Sequence, residues 1–269
     1  MAWRVGVEYI FDSAARGRSS RTTPPEVRAS VARTFHPFMK QALRRAVARV
    51  APGTSTGGVR VLLYHAIDDP DQLDTMSLRV SRQRFLDQMT LLRDEGYAVV
   101  PLDTVVNAGQ EDGRVRVAVT FDDGYRSQEW AATVLREFGF PATFFVVPRF
   151  LDGVQSPATY AEEWPHLRWD DAAALIDNGF EVGAHSTTHP DLRKCTDAQL
   201  DGEISGARAL LERRLGTTIA TFSYPYGRHD RRVRRAVEQA GYGLACTSRY
   251  GLNQSLRSFY TVRRTEVVG

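Results

Sequence analysis

The chain has 269 residues, 42% apolar and 25% charged, with a formal net charge of +3. These fractions exclude a disordered or collagen-like chain, and the length suffices to bury a large core. Two cysteines, Cys195 and Cys246, are too few for a disulfide framework and read as free thiols of a reducing compartment.

In chain order, residues 1–58 come first, with ten Arg or Lys against three Asp or Glu, so the positive excess is concentrated there. Glu8 and Asp12 interrupt what would be the apolar run of a secretory signal. No stretch reaches the ~18 apolar residues of a spanning helix. The expected location is therefore cytoplasmic. Residues 13–25, rich in Arg, Ser, Thr and Pro, read as a linker. In residues 37–50, Phe38, Ala42, Leu43, Ala46, Val47 and Val50 recur at three and four, opposite Lys40, Arg44, Arg45 and Arg49. Such a basic amphipathic helix suits peripheral contact with an anionic membrane surface or packing on the rest of the protein. The breaker-rich stretch 51–58 sets a domain boundary, giving a basic N-terminal extension (1–58) and a main domain (59–269).

The main domain opens with an apolar strand at 59–64 that ends in His65. Ser81 is positioned as the N-cap of a helix carrying Phe85, Met89 and Leu92 on one face, which Gly96 stops. A second strand is expected at 98–102. The apolar run Val115, Val117, Ala118, Val119 predicts a buried strand, followed by Thr-Phe-Asp-Asp-Gly-Tyr at 120–125. Beyond it come a helix at 128–138, a strand at 142–147 and a surface loop at 149–165 holding Tyr160 and Trp164. A helix at 170–178 and a strand at 180–184 then lead to His185. Helices at 197–215 and 230–240 alternate with strands at 220–224, 244–247 and 260–267. About seven strand and helix alternations with short links predict a parallel α/β sheet or barrel. Active sites of such folds gather where strands end, and His65, Asp122, Asp123, His185 and Tyr226 all fall there. There is no internal repeat and no phosphate-cradling Gly-rich loop, and nucleic acid is not an expected partner.

Two adjacent carboxylates, Asp122 and Asp123, at the tip of a buried strand repel each other, and a bound cation relieves that repulsion. His185-Ser-Thr-Thr-His189 follows another apolar run. Pro190 disfavours a helical His189, so a tight turn is expected there. Aspartate with two neutral imidazoles is a donor set for Zn2+ or another divalent transition ion, with positions left open for water and substrate. His36, His166 and His229 read as solvated loop residues. Tyr160, Trp164 and Trp169 read either as sugar-stacking faces or as loop anchors.

Thr-Phe-Asp-Asp-Gly-Tyr at 120–125, His-Ser-Thr-Thr-His-Pro-Asp-Leu at 185–192 and Phe-Ser-Tyr-Pro-Tyr-Gly at 222–227 resemble the polysaccharide deacetylases of the NodB-homology type, carbohydrate esterase family four. The likeness spans residues 59–269 and implies a distorted, TIM-like (β/α) barrel and a metal-dependent hydrolase that removes acetyl groups from N-acetylated sugars. It further implies Asp123, His185 and His189 as metal ligands (Zn2+ first, then Co2+, Ni2+ or Fe2+), Asp122 as general base, and the backbone N–H of Tyr226 as oxyanion donor. The chain departs from the common pattern twice. Ser223 stands where many members carry an arginine that pairs with the base, and no histidine occurs in 260–269 to act as general acid. The run Val-Leu-Leu-Tyr-His at 61–65 and the Arg-rich 262–267 resemble the circularly permuted branch, which makes His65 the candidate acid. The alternatives are a C–N hydrolase acting on a non-sugar amide, and a carbohydrate-binding protein with a residual metal site.

Overall fold

The computed structural model describes residues 57–68, 78–108, 115–154, 164–254 and 258–268; the basic segment 37–50, its linkers and Tyr160 lie outside them. Seven strands, β1 (Gly58–Tyr64), β2 (Val115–Phe121), β3 (Thr143–Val146), β4 (Glu181–Ala184), β5 (Thr221–Ser223), β6 (Leu244–Cys246) and β7 (Arg264–Glu266), lie in the order β6-β5-β4-β3-β2-β1-β7 with every ladder parallel. The two edges meet through a parallel bridge between Cys246 and Val262, where Thr247 N–H donates to Val262 O at 2.9 Å. The result is a nearly closed, distorted (β/α) barrel. Because β7 lies against β1, the chain's last strand completes the wall beside its first.

Side chains alternate across each strand, and the two faces bury two separate apolar groups. Leu62, Val117, Val119, Phe121, Phe144 and Phe222 pack outward against the helices. Val59, Val61, Ala118, Phe145, Cys246 and Val262 fill the lumen. Thr120 and Asp122 share the face of Ala118, so both point inward, and Asp122 does so just past the strand's C-terminal end. Gly183 is required by the same packing, since a Cβ there would stand 2.6 Å from both Phe145 Cε1 and Thr221 Oγ1.

The surrounding helices are α1 (Arg82–Asp94), α2 (Gln128–Phe138), α3 (Pro148–Leu151), α4 (Trp169–Asp177), α5 (Asp197–Leu215) and α6 (Arg231–Gln239). Ser81 caps α1 as expected, Thr196 and Gln199 form a capping box on α5, and Asp230 caps α6. The strand expected at 98–102 is only a single bridge, Val99 to Val117. Pro101 has no N–H to continue a ladder, and a 3-10 turn, Leu102–Asn107, follows it and sends Leu102 and Val105 into the lumen's apolar group. The loop expected at 149–165 begins instead as α3, with Phe150 and Leu151 buried. Cys195 and Cys246 are unbridged. Among the described residues no helix is long and apolar enough to cross a membrane.

Candidate active site

The loops leaving β2 and β4 bring Asp123, His185 and His189 together. Asp123 Oδ1 lies 3.4 Å from His185 Nε2 and 3.3 Å from His189 Nε2, and the two ring nitrogens are 3.2 Å apart. Donors at about 2.0–2.1 Å from a tetrahedral ion stand about 3.3 Å from one another. The chemistry of the set agrees with the spacing. His185 Nδ1 donates to Ser223 O at 2.8 Å, which leaves its Nε2 lone pair facing the cluster. Asp123 Oδ1 is buried without a hydrogen-bond donor. Burial, only partly offset by Asp123, pushes His189 down to about 4, so its imidazole is neutral at physiological pH. Against the effect of burial, Asp122 and Asp123 raise His185, which marks this point as one that attracts a cation; with both imidazoles neutral the three donors face it with electron pairs, so these residues fit a divalent metal ion.

Backbone strain concentrates in the same place. Among the described residues, the only non-glycine positions with positive φ are Asp123, Ser186, His189 and Tyr226. Two of them belong to the cluster and two flank it, which is where a fold holds costly conformations for chemistry. His189 sits in a tight turn, its N–H donating to Ser186 Oγ at 2.9 Å, as Pro190 requires.

Asp122 stands beside the cluster, with Oδ2 at 3.8 Å from His185 Nε2. Its partner is one that sequence reasoning missed. Arg264 of β7 crosses the lumen fully buried and grips the carboxylate with both arms, NH1 to Oδ1 at 2.8 Å and NH2 to Oδ2 at 2.7 Å. Ser223 Oγ accepts from Arg264 NH2 at 2.8 Å and donates to Asp122 Oδ2 at 3.0 Å. Arg264 is itself aimed by Thr247 O, 2.9 Å from Nε. The guanidinium absent at position 223 is thus supplied from the far end of the chain, with the serine filling the space between. Burial raises the Asp122 carboxyl, but the charges of Arg264 and His185 outweigh it and hold the group below the usual carboxylate range.

His65 follows β1 directly beside Asp122, whose N–H donates to Tyr64 O at 3.0 Å. Gln128, fully buried at the start of α2, ties the two loops by donating to His65 O at 3.0 Å and Asp122 O at 2.7 Å. His65 Nδ1 makes no hydrogen bond but faces Glu266 Oε1 at 3.9 Å. Tyr226 follows Pro225 at φ 59°, and its ring lies 4.7 Å from that of His189. Gly227 allows this loop to approach its neighbour, since a Cβ there would stand 2.6 Å from Ser248 N.

One expectation needs correction, and one open alternative is decided. His166 is not solvated: it is 6% exposed, packed between Tyr125 (centroids 5.0 Å) and Phe150 (4.4 Å), because the loop returns to pair with Tyr125. Trp169 is occupied as an anchor, donating to Asp152 at 2.8 Å with Arg214 over its ring at 4.5 Å. Trp164 is covered on one side by Arg79, 4.3 Å from the ring centre.

Fold and site together place the chain among (β/α)-barrel proteins with a metal-type cluster at the strand ends. The sequence pattern described as "Polysaccharide deacetylase" matches residues 109–245, and the chain belongs to that family. YxkH of Bacillus subtilis is 25% identical over 211 residues, which span 77% of this chain and 70% of that protein. A chitooligosaccharide deacetylase of Bradyrhizobium is 33% identical over 107 residues, 39% of this chain and 42% of the relative, so less than half of that relative's length is spanned. The deacetylase PplD of Streptococcus pyogenes shares the fold, with a TM-score of 0.69 at 21% identity over 79% of this chain and 93% of that one.

Proposed function

We propose that the protein is a metal-dependent hydrolase that removes the acetyl group from an N-acetylated amino sugar. The observation that carries this reading is the convergence of Asp123, His185 and His189 within 3.2–3.4 Å of one another, directly beside a guanidinium-held Asp122. When bound, a divalent ion held by the three donors lowers the pKa of a water and polarises the amide carbonyl. Asp122 takes the proton of the attacking water. Each carboxylate oxygen has two acceptor positions, and Oδ1, engaged by Arg264 NH1, keeps one free for that proton. The pair with Arg264 and Ser223 fixes the carboxylate's rotamer, so it waits in one orientation. The backbone N–H of Tyr226 supports the oxyanion. His65 returns a proton to the leaving nitrogen, with Glu266 facing its other side.

The two sequence departures that favoured an inert binding protein weaken in this light. Arg264 occupies the role vacated at position 223, and His65 lies at the neighbouring strand end. The deciding experiment measures bound metal and acetate release from N-acetylglucosamine oligomers for wild type and Asp122→Asn. The expected result is stoichiometric metal in both, with turnover about 10²–10⁴-fold lower in the variant. Unchanged turnover in Asp122→Asn would remove the base, and bound metal without hydrolysis of any N-acetylated sugar would favour the binding protein.

A further inference from the structure

We propose that the side of the mouth built by the loops after β4, β5 and β6 is a subsite for an anionic substituent, a phosphate or a carboxylate, carried by the amino sugar or by the unit next to it. This deepens the deacetylase reading and rests on it. The motivating observation is uncompensated charge. Asp191, two residues after His189, accepts from Arg193 Nε at 3.0 Å and NH2 at 2.8 Å, and pairs also with Arg228 NH1 at 3.3 Å. Asp191 and Asp230, with Glu203 of α5, are three carboxylates set against Arg193, Lys194, Arg228 and Arg249 of these loops, so a unit of positive charge is left over. Of the other nearby acids, Asp197 pairs with Arg232 at 2.8 Å, whereas Asp230, which accepts from Val233 N–H at 2.8 Å as the cap of α6, and Glu203 of α5, which accepts from Thr187 N–H at 3.0 Å and Thr188 Oγ1 at 2.6 Å, have neutral donors and keep their charge. Lys194 and Arg249 are exposed on the same loops, and Arg231, also exposed, opens α6.

Arg228 is the cation nearest the chemistry. Its guanidinium carbon lies 5.4 Å from the centre of the Tyr226 ring, which in turn lies 4.7 Å from the ring of His189. Its side chain is 53% exposed, held from below by Asp191 and from the side by the aromatic face. A planar fork fixed in this way, two ring contacts from a candidate metal ligand, is preorganised for two parallel hydrogen bonds to an oxyanion beside the scissile amide.

The test is calorimetric binding of three N-acetylglucosamine trisaccharides to the zinc-loaded protein: neutral, carrying one 6-phosphate, and carrying one uronic carboxylate. At least one anionic sugar is expected to bind about tenfold more tightly than the neutral one, an advantage that shrinks as salt is raised. The arm that shows the gain identifies the substituent. Arg228→Gln is expected to bring the anionic-to-neutral ratio near one, Arg228→Lys to restore part of it, and Arg213→Gln, at the outer end of α5, to leave it intact. Equal binding of all three sugars, or an advantage that survives Arg228→Gln, overturns the subsite. Acetate release from the same sugars is scored separately. Release without anion preference refutes the subsite alone, whereas preference without release refutes the deacetylase reading and keeps the subsite as a binding determinant.

Discussion

Two carboxylates face the same lumen from opposite ends, and their partners differ in kind. At the C-terminal mouth, Asp122 is held by the Arg264 guanidinium and the Ser223 hydroxyl. At the other end Glu181, the first residue of β4, receives hydroxyl donors, Thr143 at 2.6 Å and Thr221 at 2.8 Å. Burial raises both groups. At Asp122 the guanidinium wins and the carboxyl stays low; at Glu181 burial wins, Asp103 adds to it, and the carboxyl is raised. Neutral donors offset the loss of water less than a charged, two-armed one does. The mouth thus favours the ionised carboxylate, while the opposite end makes its carboxyl less acidic than usual.

The largest expected effect comes from removing the charge that separates the two ends. Arg264→Leu leaves Asp122 buried and uncompensated, which should cost about 3–5 kcal/mol in urea unfolding. Combining it with Asp122→Asn should recover most of that loss, because the stranded charge goes too. A loss below about 1 kcal/mol, or no recovery in the double variant, would mean that water reaches Asp122 and that the contrast between the ends is shallow. Gly227→Ala comes next. A Cβ at φ 64°, pressed against Ser248, should cost about 1–3 kcal/mol and lower turnover by displacing Tyr226, with KM for a neutral sugar changing less than kcat. Ser223→Ala removes the bridging hydroxyl while the two-armed pair remains, so about 1 kcal/mol is expected. A cost equal to that of Arg264→Leu would make the hydroxyl, and not the guanidinium, the main support of Asp122.

The mouth was more legible in the sequence than its support. The strand that ends in Asp122 and Asp123 announces itself by its apolar run, and Pro190 points to a tight turn at His189; the His185 to His189 spacing, weak alone, gained weight from the Asp-Asp-Gly at a matching strand end. Local chemistry sufficed there. Arg264 was not legible because its role depends on register between the chain's last strand and its first: Arg263 is exposed and Arg264 buried, and a slip of one residue would exchange them. Gln128 was hidden for a related reason, since a glutamine opening an amphipathic helix looks like a solvent-facing residue until two loops are seen folding over it. The strand expected at 98–102 fails at Pro101, a signal present in the sequence but outweighed by the valines before it. His166 became buried through a loop that returns to Tyr125, which no local periodicity marks.

The smallest effect is also the sharpest check on the comparison, because it tests the end remote from the Asp123, His185 and His189 cluster. The folded state raises Glu181 above its ordinary value of 4.5, so it binds the proton more tightly than the unfolded chain does. Stability from that proton is fully present below about pH 4.5 and is lost as pH rises through the folded value. Glu181→Gln keeps an acceptor for the two threonine hydroxyls but cannot ionise, so it escapes that loss. Its stability relative to wild type should therefore climb from pH 4.5 upward and level off once the wild-type carboxyl has ionised, by less than about 1 kcal/mol for a part-buried group with two hydroxyl donors. Other titrating groups cancel in the difference between the two proteins. A difference that stays flat would mean Glu181 titrates as it does in the unfolded chain, and one that falls would mean a cation reaches it, making the two ends of the lumen alike.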